Sequence, residues 1–141
     1  MSDLSVNLKL IDGKSKLRAS ARNNNDLVLD YFPPIGNGEG YTSQELLLIS
    51  FASCLGTTLV SLLRYKMQKE VSDLKISASG DVRGTHPKAL SKIEVKYTIT
   101  SKDIEDLDML SAIKSAKESI CPLWALLRGN VDISVEYVIK R

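Results

Sequence analysis

The stretch TSQELLLISFASCLGTTL, Thr42 to Leu59, decides how the rest of the chain is read. Thr42 followed three residues later by Glu45 is a capping box. Hydroxyl and carboxylate there satisfy backbone amides that a helix start leaves without partners. Behind it runs a segment from Leu46 to Leu63 that is apolar on nearly every side, which means burial in a protein core or in lipid. Its length approaches that of a membrane span. Five polar residues (Ser50, Ser53, Thr57, Thr58 and Ser61) interrupt it, and strand-like segments stand on both sides. The expectation is a long central core helix, continuing to about Glu70. Ala52, Ser53 and Gly56 surround Cys54 with small side chains, which suits close approach of another backbone, internal or from a second copy.

On either side the periodicity changes from helical to alternating. Before the helix, Leu4, Val6, Leu8 and Leu10, then Leu17, Ala19 and Ala21, then Leu27, Leu29 and Tyr31 recur at every second position, with turn residues between. That pattern predicts three antiparallel strands with one buried face. PPIGNGEG, Pro33 to Gly40, predicts a loop. After the helix, Leu74, Ile76 and Ala78, then Ile93, Val95, Tyr97 and Ile99, face inward on two more strands linked by RGTHPKA. Ile104, Leu107, Ile113, Ala116 and Ile120 return at helical spacing as a second, amphipathic helix. Pro122 opens a short third helix ending at Gly129. Val131, Ile133, Val135, Tyr137 and Ile139 close the chain as a strand. The order is βββ-α-ββ-α-(α)-β, an α+β class, in one domain over residues 1–141.

The chain has 141 residues, enough for one domain. Nineteen basic residues are scattered among seventeen acidic ones, for a net charge of +2. This mixed surface gives no electrostatic reason to expect nucleic acid or an anionic membrane. With 1 Trp, 2 Phe and 5 Tyr, an aromatic platform for bases is not expected either. The N-terminal MSDLSVNLKLIDGKSK has no apolar core of signal-peptide length, so the expected compartment is the reducing cytosol.

Few residues are equipped for chemistry. There is no phosphate loop, no His pair for a metal and a single histidine, His86, in a turn before Pro87. The reactive inventory is Cys54 and Cys121, 67 positions apart. A thiol attacks a peroxide only as thiolate, which requires a pKa below the ordinary value of about 8.5. Burial alone works the other way, so a reactive Cys54 needs a cation brought to it. Lys14, Lys16, Arg18 and Arg22 are the candidates. Against this stands the reading in which a buried cysteine is only a small hydrophobe.

Two blocks carry a family pattern. GEGYTSQELLLISFASCLGTTL resembles the central-helix signature of the OsmC/Ohr family. SAKESICPLWALLRGNVDISVEYVI resembles that family's second cysteine motif and final strand. VSDLKISASGDVRGTHPKALSKIEVKYTIT is similar to its paired strands, and its Arg-His-Pro link is typical of the OsmC-like branch. The likeness runs from about Asp26 to the end.

The resemblance implies an OsmC-like fold, antiparallel sheets wrapped around the long helix, in an intertwined homodimer. It implies a thiol peroxidase acting on organic hydroperoxides, with Cys54 peroxidatic and Cys121 resolving through a disulfide that a dithiol reductant reopens. That chemistry follows the thiol oxidation ladder and needs no metal or organic cofactor. Peroxidase members also orient the thiolate with an early arginine and a glutamate ten positions before the cysteine. Here position 44 is Gln44, and Glu45 stands nine before Cys54, about 100° round the helix. Glu45 is thus a catalytic candidate with a complete alternative role as helix cap, and Arg18 is the arginine candidate. Lysine at that place would lack the rigid guanidinium fork. The rival expectation is a stress-associated or small-molecule-binding dimer of the same fold without peroxidase activity. A thiol enzyme acting on another electrophile is a third.

Overall fold

The computed structural model describes residues 4–141; residues 1–3, at the head of the polar N-terminal stretch, lie outside it. The described chain falls into two compact units, one ending at Leu46 and the other Leu47–Arg141, divided within the first turns of the central helix.

In the N-terminal unit, β1 (Asn7–Leu10), β2 (Leu17–Ser20) and β3 (Leu27–Leu29) form an antiparallel sheet in that order. The turn between β1 and β2 is closed by the Asp12 carboxylate, which accepts the backbone amides of Lys14 and Lys16 at 2.9 and 3.1 Å. The predicted buried face is not seen on β1, where Leu8 and Leu10 are 50% and 54% exposed. Alternation sorts side chains onto two faces but does not encode what packs on either one.

The loop after β3 is organised by one carboxylate. Buried Asp30 accepts the Ser15 hydroxyl at 2.8 Å and the amides of Tyr31, Asn37 and Glu39 at 3.0, 3.0 and 3.1 Å. At Gly40 a Cβ would lie 2.6 Å from the Val28 carbonyl oxygen, so only glycine lets these backbones approach.

Helix α1 (Ser43–Ser61) runs on through a π-helical turn, Leu62–Lys66. The predicted capping box is present. The Thr42 amide donates to the Glu45 carboxylate at 2.8 Å, and the Glu45 amide to the Thr42 hydroxyl at 3.2 Å. The helix stops short of Glu70, because Gln68 adopts a left-handed backbone (φ 55°) that no helix continues through. By length and composition Ser43–Lys66 would suffice to cross a membrane. Phe51, Leu55, Leu59 and Leu63 instead form a stripe buried in a protein core, each removal from water contributing about 1.5–3 kcal/mol.

The C-terminal unit supplies that core. Strand β4 (Asp73–Val82) pairs antiparallel with β5 (Leu90–Thr100), whose Ile93, Val95, Tyr97 and Ile99 are all buried. β6 (Asp132–Lys140) pairs with β5 in parallel, so this sheet departs from the all-antiparallel arrangement expected. A parallel neighbour needs a crossover of a dozen or more residues. The segment containing α2 (Asp106–Ser115) with its π turn Ala116–Ile120 and α3 (Pro122–Leu127) provides it. Of the inward set expected here, Ile104 and Ala116 are buried and Ile113 packs against the core, joined by Met109 and Ala112 of α2, whereas Ile120 is exposed. Leu107 is 78% exposed because it falls on the opposite side. Pro122 occupies the first turn of α3, and Gly129, at φ +86°, follows its end as predicted.

Candidate functional site

Cys54 lies in the middle of α1 and is half-buried, and Cys121 is buried where the π turn after α2 meets α3. Their sulfurs are 3.3 Å apart, with the Cys121 thiol donating to the Cys54 sulfur. Sequence spacing of 67 positions gave no hint of this contact; the crossover that makes β6 parallel to β5 returns Cys121 to α1. Both cysteines are free.

Each thiol is held from behind. The π turn ends with the Cys121 amide donating to the Ala116 carbonyl at 2.9 Å, and the Cys121 carbonyl accepts the Ala125 amide at 3.2 Å. The next residue is the φ-locked Pro122, so the backbone at Cys121 has little freedom. On α1 the Thr58 hydroxyl donates to the Cys54 carbonyl at 2.9 Å. From β5, the Tyr97 hydroxyl donates to the Ala52 carbonyl at 3.2 Å. At Gly56 a Cβ would stand 2.7 Å from Ile76 Cδ1 and 3.6 Å from Tyr97 Cε1, so the small residue lets the sheet approach the helix closely beside Cys54.

The electrostatics follow from this burial. Desolvation pushes the Cys121 thiol up from its ordinary value. The Trp124 amide pulls it down, the contact with Cys54 raises it again, and the Leu123 amide lowers it. The net direction is upward, so Cys121 stays protonated. The Tyr97 phenol is pushed up by burial first and by the two neighbouring thiols second.

Phe51 and Trp124 meet edge-to-face with centroids 5.7 Å apart. Lys117 Nζ stands 5.9 Å from the Trp124 ring centre, and the Arg128 guanidinium donates to the Lys117 carbonyl. A cavity of about 240 Å³ lies between α1 and α3. Ser50 and Phe51, one turn before Cys54, line it together with Leu47, Leu123, Leu126 and Leu127. Its wall is apolar.

Four of the other candidates have partners inside the N-terminal unit. Arg18, on β2, has Nε 3.8 Å from Asp26 Oδ2. Lys16 is 2.9 Å from Glu39, Lys14 donates to Asn37 at 2.9 Å, and Arg22 occupies a left-handed turn position (φ 54°). Glu45 serves the capping box. The structure therefore brings Cys54 and Cys121 together, while Lys14, Lys16, Arg18 and Glu45 have local partners. Sequence reading assigned Tyr97 only an inward direction. Period two reports burial, and nothing in it signals that the hydroxyl reaches the helix carrying Cys54.

A family model described as OsmC-like protein matches residues 36–136. Protein YhfA of Escherichia coli K12 is 23% identical over 95 residues, which cover 67% of this chain and 70% of YhfA. A hypothetical protein from Aquifex aeolicus VF5 superposes with a TM-score of 0.85 at 27% identity, covering 99% of this chain and 98% of that one. The organic hydroperoxide resistance protein OhrB of Bacillus subtilis superposes with a TM-score of 0.66 at 19% identity, covering 97% and 98%.

Proposed function

Because the chain belongs to the OsmC-like protein family, we propose that it is a thiol peroxidase that reduces organic hydroperoxides through Cys54 and Cys121. The observation that carries this reading is the 3.3 Å approach of two free thiols, one half-buried and one buried, from distant parts of the chain. A redox or stress-related role is also what the similarity to a hydroperoxide resistance protein supports. In this reading Cys54, the more accessible sulfur, attacks the O–O bond and becomes a sulfenic acid. Cys121 then condenses with it, so that the sulfenic acid is trapped before further oxidation. A dithiol reductant restores both thiols by exchange. The apolar cavity between α1 and α3 suits the carbon skeleton of the hydroperoxide.

The proposal extends to assembly and compartment. The outward side of α1 carries Ser53, Thr57 and Ser61, and with Val60, Tyr65 and Ile76 it borders an open cavity of about 540 Å³. Small side chains on a helix allow a second copy to pack closely, and a homodimer of one-domain subunits is the assembly proposed. A cytosolic location, with its dithiol reductants, fits a cycle that must return both cysteines to the free state.

A non-peroxidase dimer that binds a small molecule is the second reading. It is favoured by one observation: Arg18 and Glu45, the candidates for orienting the thiolate, are paired with Asp26 and Thr42. Steady-state assays with cumene hydroperoxide and a dithiol reductant separate the two. The peroxidase reading expects turnover that Cys54→Ser abolishes. Absence of turnover with cumene and linoleic hydroperoxides alike supports the binding reading.

A further inference from the structure

We propose that the Cys121 thiol acts before it resolves anything: its S–H, aimed at the Cys54 sulfur, steadies the attacking thiolate and supplies the proton for the first chemical step. This rests on the peroxidase reading for its chemistry, but the hydrogen bond itself is a property of the resting protein. The family resemblance assigns thiolate orientation to an arginine and a glutamate, and the candidates for those roles here have other partners. The group that does touch the Cys54 sulfur is Cys121.

The direction of the hydrogen bond follows from where the two sulfurs sit. Cys121 is the buried one, and desolvation favours its neutral, proton-carrying form. Cys54 is half-buried and receives that proton's hydrogen bond. A thiol is a weak donor towards a neutral acceptor, but the bond strengthens substantially when the acceptor is an anion. The backbone bonds at Ala116 and Ala125, with Pro122, fix the donor, so little ordering cost attends the contact.

Three ionisable groups on the neighbouring elements have partners of their own. Tyr97, from β5, directs its hydroxyl to the Ala52 carbonyl. Lys117, on the π turn, stands over the Trp124 ring, and Arg128, beyond α3, bonds the Lys117 carbonyl.

The steps balance. The Cys54 thiolate attacks the terminal oxygen of the hydroperoxide, forming an S–O bond as the O–O bond breaks. The sulfur is oxidised to sulfenic acid and the peroxide reduced. The leaving alkoxide takes the Cys121 proton and departs as the alcohol. Cys121, now a thiolate, attacks the Cys54 sulfur and displaces hydroxide, which solvent protonates, giving the disulfide. The order of events hands Cys121 its nucleophilic form only when there is a sulfenic acid to attack.

The test uses iodoacetamide on the reduced protein at pH 7, with the modified cysteine located by peptide mass. Cys121→Ser keeps a donor, whereas Cys121→Ala and Cys121→Val remove it. Alkylation of Cys54 should slow by about ten-fold in the alanine and valine variants and stay within about two-fold of the native rate in the serine variant. Equal Cys54 rates in all three variants would overturn the proposal, as would faster modification of Cys121 than of Cys54 in the native protein. That last comparison needs no variant, so it stands even where a substitution impairs folding. No peroxide is present, so a protein that proves not to be a peroxidase still gives a clear answer on the hydrogen bond.

Discussion

The hydroxyl of Tyr97 donates to the carbonyl oxygen of Ala52 across 45 residues, tying the central strand of the C-terminal sheet to the helix turn that presents Cys54. Tyr97 is buried and its phenol is held neutral by that burial, so it serves as a fixed donor. Tyr97→Phe keeps the ring and removes only the hydroxyl. It should cost about 1 kcal/mol in urea unfolding and lower the alkylation rate of Cys54 by loosening its helix turn. Unchanged stability and unchanged rate together would show that the bond positions nothing.

Two glycines should respond differently to the same substitution. At Gly56 the new methyl meets the end of Ile76, a side chain 39% exposed that can move aside, and a helical alanine gains about 1 kcal/mol over glycine. Gly56→Ala should therefore change stability by less than about 1 kcal/mol. At Gly40 the methyl meets the backbone of Val28 and Leu29, which cannot rotate away. Gly40→Ala should destabilise by about 1–3 kcal/mol. Equilibrium unfolding of both variants checks the contrast.

Asp30 should make the protein acid-sensitive. Burial opposes its ionisation, but the Glu39 amide, the Ser15 hydroxyl and the amides of Asn37 and Tyr31 outweigh it and hold the carboxyl below its ordinary value. A group with a lowered folded pKa stabilises above its unfolded value, near 3.9, and that contribution is lost as pH falls through the folded value. Asp30→Asn should lower the urea midpoint at pH 7 and shrink the drop between pH 7 and pH 3. An unchanged drop would place the acid sensitivity elsewhere, Asp103 being the next carboxyl held low by its hydrogen bonds.

Much of this was legible in the chain and some was not. The capping box at Thr42 and Glu45, the loop at Pro33–Gly40 and the α3 boundaries at Pro122 and Gly129 were readable because each is set by local backbone chemistry. The inward residues of β5 were readable because both the period and the burial are regular there. The exposure of Leu8, Leu10 and Leu107 was not, since periodicity names a face without naming its cover. The end of α1 before Glu70 depends on Gln68 turning left-handed, which its residue type does not announce. At the site, both cysteines were singled out, and the resemblance alone paired them. The Tyr97 bond spans 45 residues, and the Asp30 hub gathers a hydroxyl and three amides from an irregular loop and the turn before β2; no periodicity encodes either.

Trp124 offers a direct optical readout. It is the chain's one tryptophan, three residues after Cys121 and packed on Phe51. Drawing Cys121 onto Cys54 should shift its emission, in a single rapid phase after peroxide addition. The change should be absent in Cys54→Ser. A fluorescence change of equal size in that variant would mean the ring senses peroxide by another route.

The two sulfurs that lie 3.3 Å apart should react with one another. Fully reduced protein, treated with one equivalent of cumene hydroperoxide, would be quenched with an alkylating agent, digested and mapped by mass. A Cys54–Cys121 linkage within single chains, formed in near-stoichiometric yield and replaced by a trapped sulfenic acid at Cys54 in Cys121→Ser, is the predicted result. Two intact, alkylated thiols after excess hydroperoxide would contradict it.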